Sequence, residues 1–246
     1  MSQKRSSATP KKPHRNAANG KGELVPRGAD GNPPSTLAER VYRLLKQDII
    51  RGALQPGEAL NEKVLAARYQ GSRTPVREAI MRLQQDNLVR IIVNKGYFVA
   101  QLTIQELNEI YEFRTEVESL CAALAARRWS DEALFKKLSE EAHIKYRTED
   151  RASYMHFIEV DTDFHVGIAQ LTRNRLLVRA VADSRCQHER IMFAAIGIDY
   201  YGEVPSREHQ EILGAIARRE PELAANLMRS HIAGSKDKVL QLASGC

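Results

Sequence analysis

The chain has 246 residues, 43% apolar and 28% charged, a globular composition long enough for one large domain or two ordinary ones. No run approaches the ~18 uninterrupted apolar residues of a membrane helix. The basic N-terminus has no apolar segment behind it, and Cys121, Cys186 and Cys246 are too scattered for a disulfide framework or a paired-cysteine zinc site, which points to a reduced, cytoplasmic protein without a membrane partner.

The net charge of +6 is unevenly divided. Residues 1–35 hold seven Lys/Arg against two acids and residues 36–102 hold eleven against six, so each segment carries +5, while the remainder holds 19 against 23. A basic front and an acidic back predict two domains with different partners, the front one facing a polyanion.

Residues 1–35, rich in Lys, Ser, Asn, Gly and Pro, read as a disordered basic tail. Thr36-Leu-Ala-Glu39 is a capping-box pattern, followed at helical spacing by Val41, Leu44, Leu45 and Ile49 and stopped near Gly52. A Pro56-Gly57 turn leads to Asn61, which caps a short helix through Val64, Leu65 and Tyr69, and Gly71-Ser72 marks the next break. Thr74 is placed to cap a third helix with Pro75 at its first position and Val76, Ala79, Ile80 and Leu83 as the buried stripe. Leu88–Val93 and Tyr97–Val99 are β-rich runs separated by Asn94-Lys95-Gly96, a hairpin signal. Three short helices and a hairpin make a winged helix-turn-helix over 36–102.

From residue 103 the strand signal disappears. Thr103-Ile-Gln-Glu106 opens a second capping box, and Leu107, Ile110, Tyr111, Arg114, Val117, Cys121 and Leu124 share one face of a long helix. Helical periodicity recurs over 131–147, 152–171, 175–196, 205–219 and 221–240, with Pro205 and Pro221 at two of the starts. Residues 103–246 therefore read as a six-helix, all-α bundle, and the whole chain as mainly α.

Two sets of residues carry chemistry. Arg73 and Arg77 stand four apart at the start of the third helix, where a recognition helix presents base-reading side chains; the arginine fork suits guanine, and Thr74 suits a phosphate or a thymine methyl. A merely solvated basic surface is the plainer alternative. In the bundle, Asp161 and His165 are four apart on a face shared or bordered by Phe157, Phe164 and Ile168. His209 lies with Ile212, Leu213 and Ile216, and His231 with Leu227, Met228 and Ile232. If they converge, these four hold a divalent transition metal, Zn²⁺ first and Ni²⁺ or Mn²⁺ as alternatives for the same N/O set. If they do not, each is a satisfied core histidine. Arg114 is either an edge residue with a snorkelling stem or a clamp for a ligand carboxylate. His14, His143, His156 and His188 read as structural or surface residues.

The segments Gly52–Glu62, Leu65-Ala-Ala, Ser72-Arg-Thr-Pro-Val-Arg-Glu-Ala79, Leu88-Val89 and Gly96-Tyr-Phe-Val99 resemble the DNA-binding domain of GntR-type bacterial transcription regulators. The helical half resembles the FCD ligand-binding domain of the FadR subfamily, and six helices point to its VanR-like branch. Gln70-Gly71 and Asn87 depart from the usual pattern; Asn87 stands where Gly is usual, and asparagine tolerates the left-handed region. The resemblance implies that Lys63 lies on the DNA backbone, that Lys95 and Gly96 enter the minor groove from the wing, and that Asp161, His165, His209 and His231 carry a metal. It implies a nucleoid-associated homodimer on a palindromic operator of double-stranded DNA, acting as a repressor and released by a small organic acid rather than working as an enzyme. A metal-dependent enzyme built on the His/Asp set and an architectural DNA-binding protein are the rival readings.

Overall fold

The computed structural model describes residues 36–144, 150–195 and 206–244. The basic segment read as a disordered tail lies outside them, as do Pro205 and Cys246. Helix α1 (Leu37–Ile50) is amphipathic, burying Val41, Leu45 and Ile49. Strand β1 is only Ala59–Leu60, too short to announce itself by alternation, and helices α2 (Glu62–Arg68) and α3 (Arg73–Gln85) follow. Strands β2 (Val89–Ile92) and β3 (Gly96–Val99) form the wing in a sheet ordered β1-β3-β2, all antiparallel, with Leu60 opposite Tyr97 and Ile92 opposite Gly96.

Local chemistry explains the joints of this reader. Asn61 caps α2 by accepting from the backbone N–H of Lys63 and Val64. Gln70, Asn87 and Asn94 take positive φ at the ends of α2 and α3 and in the wing turn, so Asn87 occupies the conformation for which glycine is the usual choice. Helix α3 begins two residues earlier than its sequence predicts: Ser72, not Thr74, is its N-cap, and it makes no side-chain capping bond. Pro75 is therefore the third helical residue, where its missing N–H is still one of the donors without an intrahelical partner. Val41, Leu45, Val76, Ile80, Leu83 and Leu88 are completely buried, each stabilising the fold by roughly 1.5–3 kcal/mol relative to exposure.

The second half contains α4 (Ile104–Arg128), α5 (Glu132–Glu141), α6 (Arg151–Leu171), α7 (Arg175–Ala195), α8 (Ser206–Ala217) and α9 (Pro221–Ser244). Both halves of the Thr103/Glu106 capping box form. Helix α4 is the central post, packed against α6, α7, α8 and α9. Trp129 closes its C-terminal end, stacked on Phe135 at 4.4 Å and donating to the Ile216 carbonyl at 3.2 Å. Helix α5 ends at Glu141 rather than continuing to 147: His143 and Ile144 donate to carbonyls three residues back, and His143 Nδ1 lies 2.7 Å from the Ser139 carbonyl, which tightens and closes the last turn. Pro221 opens α9 as its spacing predicts.

Helix α7 touches both halves. Its partly buried Cys186 packs against the reader's core, Gln187 Nε2 donates to the Asp86 carbonyl at the end of α3 at 2.6 Å, and Arg190 Nη2 donates to the Ala100 carbonyl just after β3. Arg51 and Glu159 add an exposed ion pair at 2.6 Å between α6 and the segment following α1.

Gly167 sets the fit of α5 against α6, because a Cβ there would overlap the buried Leu138 side chain. The Gly167→Ala change gains up to about 1 kcal/mol of helix propensity and loses about 1–3 kcal/mol to overpacking. A net loss of stability is expected from denaturant unfolding, and in a Leu138→Ala background the same change should become neutral or stabilising.

Candidate metal centre and DNA-facing surface

Four helical side chains converge inside the bundle. Asp161 and His165 project from α6, His209 from α8 and His231 from α9, and one ligand atom from each lies within 4.8 Å of all the others. Nε2 of His231 is 3.2 Å from Nε2 of His165 and 3.3 Å from Nε2 of His209, whose Nε2 is 3.3 Å from Asp161 Oδ1. The remaining measured edge, His165 Nε2 to Asp161 Oδ1, is 3.8 Å. Metal–nitrogen bonds of 2.0–2.1 Å in a tetrahedron would give nitrogen–nitrogen edges of about 3.3–3.4 Å.

Carboxylates beside the second nitrogens of two rings favour the tautomers whose lone pairs point inward. His165 Nδ1 meets Glu118 Oε2, and His231 Nδ1 is 2.8 Å from Glu208 Oε2. A proton on each Nδ1 facing a carboxylate leaves both Nε2 atoms unprotonated. Two imidazole lone pairs then face each other at 3.2 Å. They repel unless a cation lies between them, so the donor set fits a divalent metal by its chemistry as well as its spacing.

Electrostatics keep the set ready to ligate. Burial pushes His165 down to about 4 despite Glu118, and burial with the neighbouring His231 lowers His209, so both are neutral at pH 7. Burial opposes ionisation of Asp161 most strongly of any single cause, but Arg185 together with His165, His209 and His231 outweighs it and holds the carboxyl well below its ordinary value. His209 is further fixed by stacking on Phe164 at 3.9 Å.

A second buried layer surrounds these four. Arg114, 1% exposed, donates through Nε to Glu118 at 2.6 Å; it is a core residue and not the snorkelling edge residue that was one sequence reading. Arg185 pairs with Asp161 and Thr162. The Tyr111 hydroxyl lies 2.9 Å from His188 Nε2 and 3.1 Å from Ser235 Oγ. Among the described residues, Arg114 Nη1, Arg185 Nη1 and His188 Nδ1 are buried with no hydrogen-bond partner.

At the other end of the chain, Lys63, Arg73, Thr74, Arg77, Lys95 and Gly96 are all exposed. Helix α3 buries Val76, Ala79, Ile80 and Leu83 on its opposite side. Arg77 is held by Glu62 of α2, with Nε at 2.8 Å and Nη2 at 3.1 Å from its two oxygens. Gly96, with φ of +107°, and Asn94 turn the wing tip that presents Lys95.

Residues 37–99 match the gntR family of bacterial regulatory proteins, and residues 109–234 match the FCD domain. The chain belongs to the gntR family. It is 32% identical over 200 residues to the HTH-type transcriptional repressor GlaR of Escherichia coli (strain K12), covering 78% of this chain and 90% of that protein. Over 192 residues it is 31% identical to the Nta operon transcriptional regulator of Aminobacter aminovorans, covering 78% and 89%. Among solved structures, E. coli McbR/YncC shares the fold, with a TM-score of 0.69 at 21% identity over 84% of this chain and 98% of that one. The gntR-family members are transcription regulators and not enzymes, so this chain is a DNA-binding regulator. Among its described residues no helix is long and apolar enough to cross a membrane.

Sequence reasoning named the four inward donors, and the fold brings them together. It missed Glu118, Arg185, Glu208 and Glu62. Glu118 had a signal: an acid four residues after Arg114 on the same helix pairs with it. Arg185 and Glu208 had none, since their partners are 24 and 23 residues away. For this gntR-family protein, Glu118→Gln should leave the four donors in place yet weaken metal affinity about 10–100-fold through loss of its hold on His165. A competition titration with a zinc chelator, on protein whose fold is verified by circular dichroism, measures it.

Proposed function

We propose that the chain is a repressor whose hold on a palindromic operator is released when a small organic acid binds at a metal centre made by Asp161, His165, His209 and His231. The observation that carries this reading is the buried convergence of those donors beside three unpartnered cationic or imidazole donors, on helices that include the one gripping the DNA reader. Three nitrogens and one carboxylate oxygen suit Zn²⁺, and Ni²⁺ or Mn²⁺ fits the same set. Once bound, a divalent cation supplies positively charged coordination positions for a carboxylate. Arg114 Nη1, Arg185 Nη1 and His188 Nδ1 would take a second acidic or hydroxyl group. The six described helices after the wing favour the VanR-like branch, and the names of relatives such as GlaR support repression. Localisation follows from the target: the protein acts on cytoplasmic, nucleoid DNA.

The reading of the front domain assigns base contacts to Arg73 and Arg77, a phosphate or methyl contact to Thr74, and backbone and minor-groove contacts to Lys63, Lys95 and Gly96. Segment 36–102 serves as the reader, and 103–246 as the sensing and dimerising domain. A homodimer places two recognition helices in successive major grooves. Phe113 and Leu120, seven apart on one face of α4 and 44% and 49% exposed, are the apolar residues a second copy would cover.

Binding to an in-vitro-selected duplex and to a scrambled one tests the reader. Arg73→Ala and Arg77→Ala are each expected to lose ~1–3 kcal/mol on the selected duplex and less on the scrambled one, whereas Lys63→Ala weakens both alike. Equal losses on both duplexes for the arginine variants overturn direct readout.

The sensor is tested by elemental analysis of protein never exposed to a nickel column. About one metal per chain is expected, and its loss in the His209→Ala/His231→Ala double variant. Metal-loaded protein is then titrated with citrate, succinate and gluconate, reading acid binding and operator release together. At least one acid should lower operator affinity by about 5–150-fold, and operator DNA should weaken that acid by the same factor. If every acid that binds leaves operator affinity unchanged, the switch is wrong.

A further inference from the structure

The surface assigned to DNA carries one residue whose charge is wrong for that partner. Glu62, the first residue of α2, stands next to the exposed Lys63 and pairs with the exposed Arg77 of α3, with Arg73 close enough to act on its charge. A carboxylate there repels phosphate and opposes binding to any DNA sequence. Stability does not account for it, because ion pairs open to water contribute little and the Arg77 side chain is 63% exposed. The geometry of the pair is more telling. Arg77 Nε donates to Glu62 Oε1 at 2.8 Å and Nη2 donates to Oε2 at 3.1 Å, so the carboxylate occupies the side edge of the guanidinium. That contact uses the Nε hydrogen and one Nη2 hydrogen. The end edge, made by Nη1 and the second Nη2 hydrogen, is not engaged by Glu62, and it is an edge that matches O6 and N7 of guanine. Glu62 is itself well held: its side chain is 16% exposed, Asn61 caps the helix it opens, and Leu60 is paired with Tyr97, whose hydroxyl also stabilises the carboxylate. Hydrogen bonding to Arg77, with the charges of Arg77 and Arg73, keeps its carboxyl below the ordinary value, so it meets DNA ionised.

We propose that Glu62 is a positioning residue that sets sequence discrimination: it holds Arg77 with its end edge toward a guanine, and its charge penalises complexes in which that base contact is not made. The inference rests on the base-reading role proposed above for Arg77. A free arginine side chain swings among rotamers and reaches any nearby phosphate, whereas one already ordered by Glu62 loses less entropy when it meets its base. On a matching duplex the paired contact to guanine outweighs the repulsion between Glu62 and the phosphates. On any other duplex the repulsion stays and the gain is absent. Specificity is a difference of affinities, and Glu62 widens it from both sides.

The test uses the full chain on an in-vitro-selected duplex, its single-base-pair variants and a scrambled duplex, at about 50 mM salt, where electrostatic contributions are large. Arg77→Ala first locates the base pair at which preference is lost. Glu62→Gln keeps the shape of the side chain but puts an NH₂ where one of the two arginine nitrogens needs an acceptor. It should reduce the preference at that same base pair by ~5-fold or more, leave the preference at the other pairs unchanged, and raise affinity for the scrambled duplex by ~2-fold or more, with an unchanged thermal melt. In an Arg77→Ala background, Glu62→Gln should still raise scrambled binding and should no longer alter base preference. A purely structural role for Glu62 predicts instead that Glu62→Gln weakens all duplexes alike, and that result overturns the proposal. So does an intact preference at the base pair that Arg77→Ala flattens, which leaves the reading of Arg77 standing. If Arg77→Ala flattens no base pair, base reading by Arg77 fails and the role of Glu62 falls with it.

Discussion

The helical domain is organised around ions that it has removed from water. Glu118, 2% exposed on the central helix, lies between Arg114 and His165, and Asp161 is held by Arg185. Removing one member of such a set leaves an uncompensated buried charge at a cost of about 3–5 kcal/mol, whereas a hydrophobic replacement of the whole set is often neutral or stabilising. Stability therefore does not account for its presence. What the set accomplishes is orientation: Glu118 turns His165 and Glu208 turns His231, so that two lone pairs aim at one point.

That requirement constrains the helices. Asp161 and His165 must share a face of α6, α8 and α9 must bring His209 and His231 within 3.3 Å of each other, and α4 must pass close enough for Glu118 to reach His165. The close seat of Gly167 against Leu138 keeps α5 on the far side of the same helix. A small change in any helix axis moves a donor by more than the tolerance of a bond, so packing and site geometry are one constraint.

Much of this was legible in the chain. Period 3.6 with a capping box at Thr103 and caps such as Asn61 located the helices to within a few residues, and inward-facing histidines announced themselves by apolar residues three or four positions before or after them. The exceptions have physical causes. Strand β1 is two residues long and exists only because β3 offers a partner. Ser72 caps α3 by backbone conformation without a side-chain bond, so Thr74 looked the better cap. Arg114 stands where a charge at the border of an apolar stripe usually reaches water, and only the fold reveals that Glu118 lets it remain inside. Partners distant in sequence, such as Arg185 and Asp161, leave no periodic trace at all.

Helix α7 joins the buried polar cluster and the DNA reader in one rigid body. Arg185 and His188 face the buried polar cluster, while Cys186, Gln187 and Arg190 face the reader. Successive residues of a helix are fixed about 100° apart, so a displacement that serves the inner face is imposed on the outer one. Gln187 holds the end of the recognition helix and Arg190 holds the strand leading out of the wing. Each hydrogen bond is worth about 0.5–1.5 kcal/mol net. Losing both would therefore account for about 1–3 kcal/mol, the whole range of a typical allosteric coupling. Under the proposed function no large rearrangement of the bundle is needed for a ligand at its centre to be felt at the DNA; a shift of α7 sufficient to break two hydrogen bonds is enough.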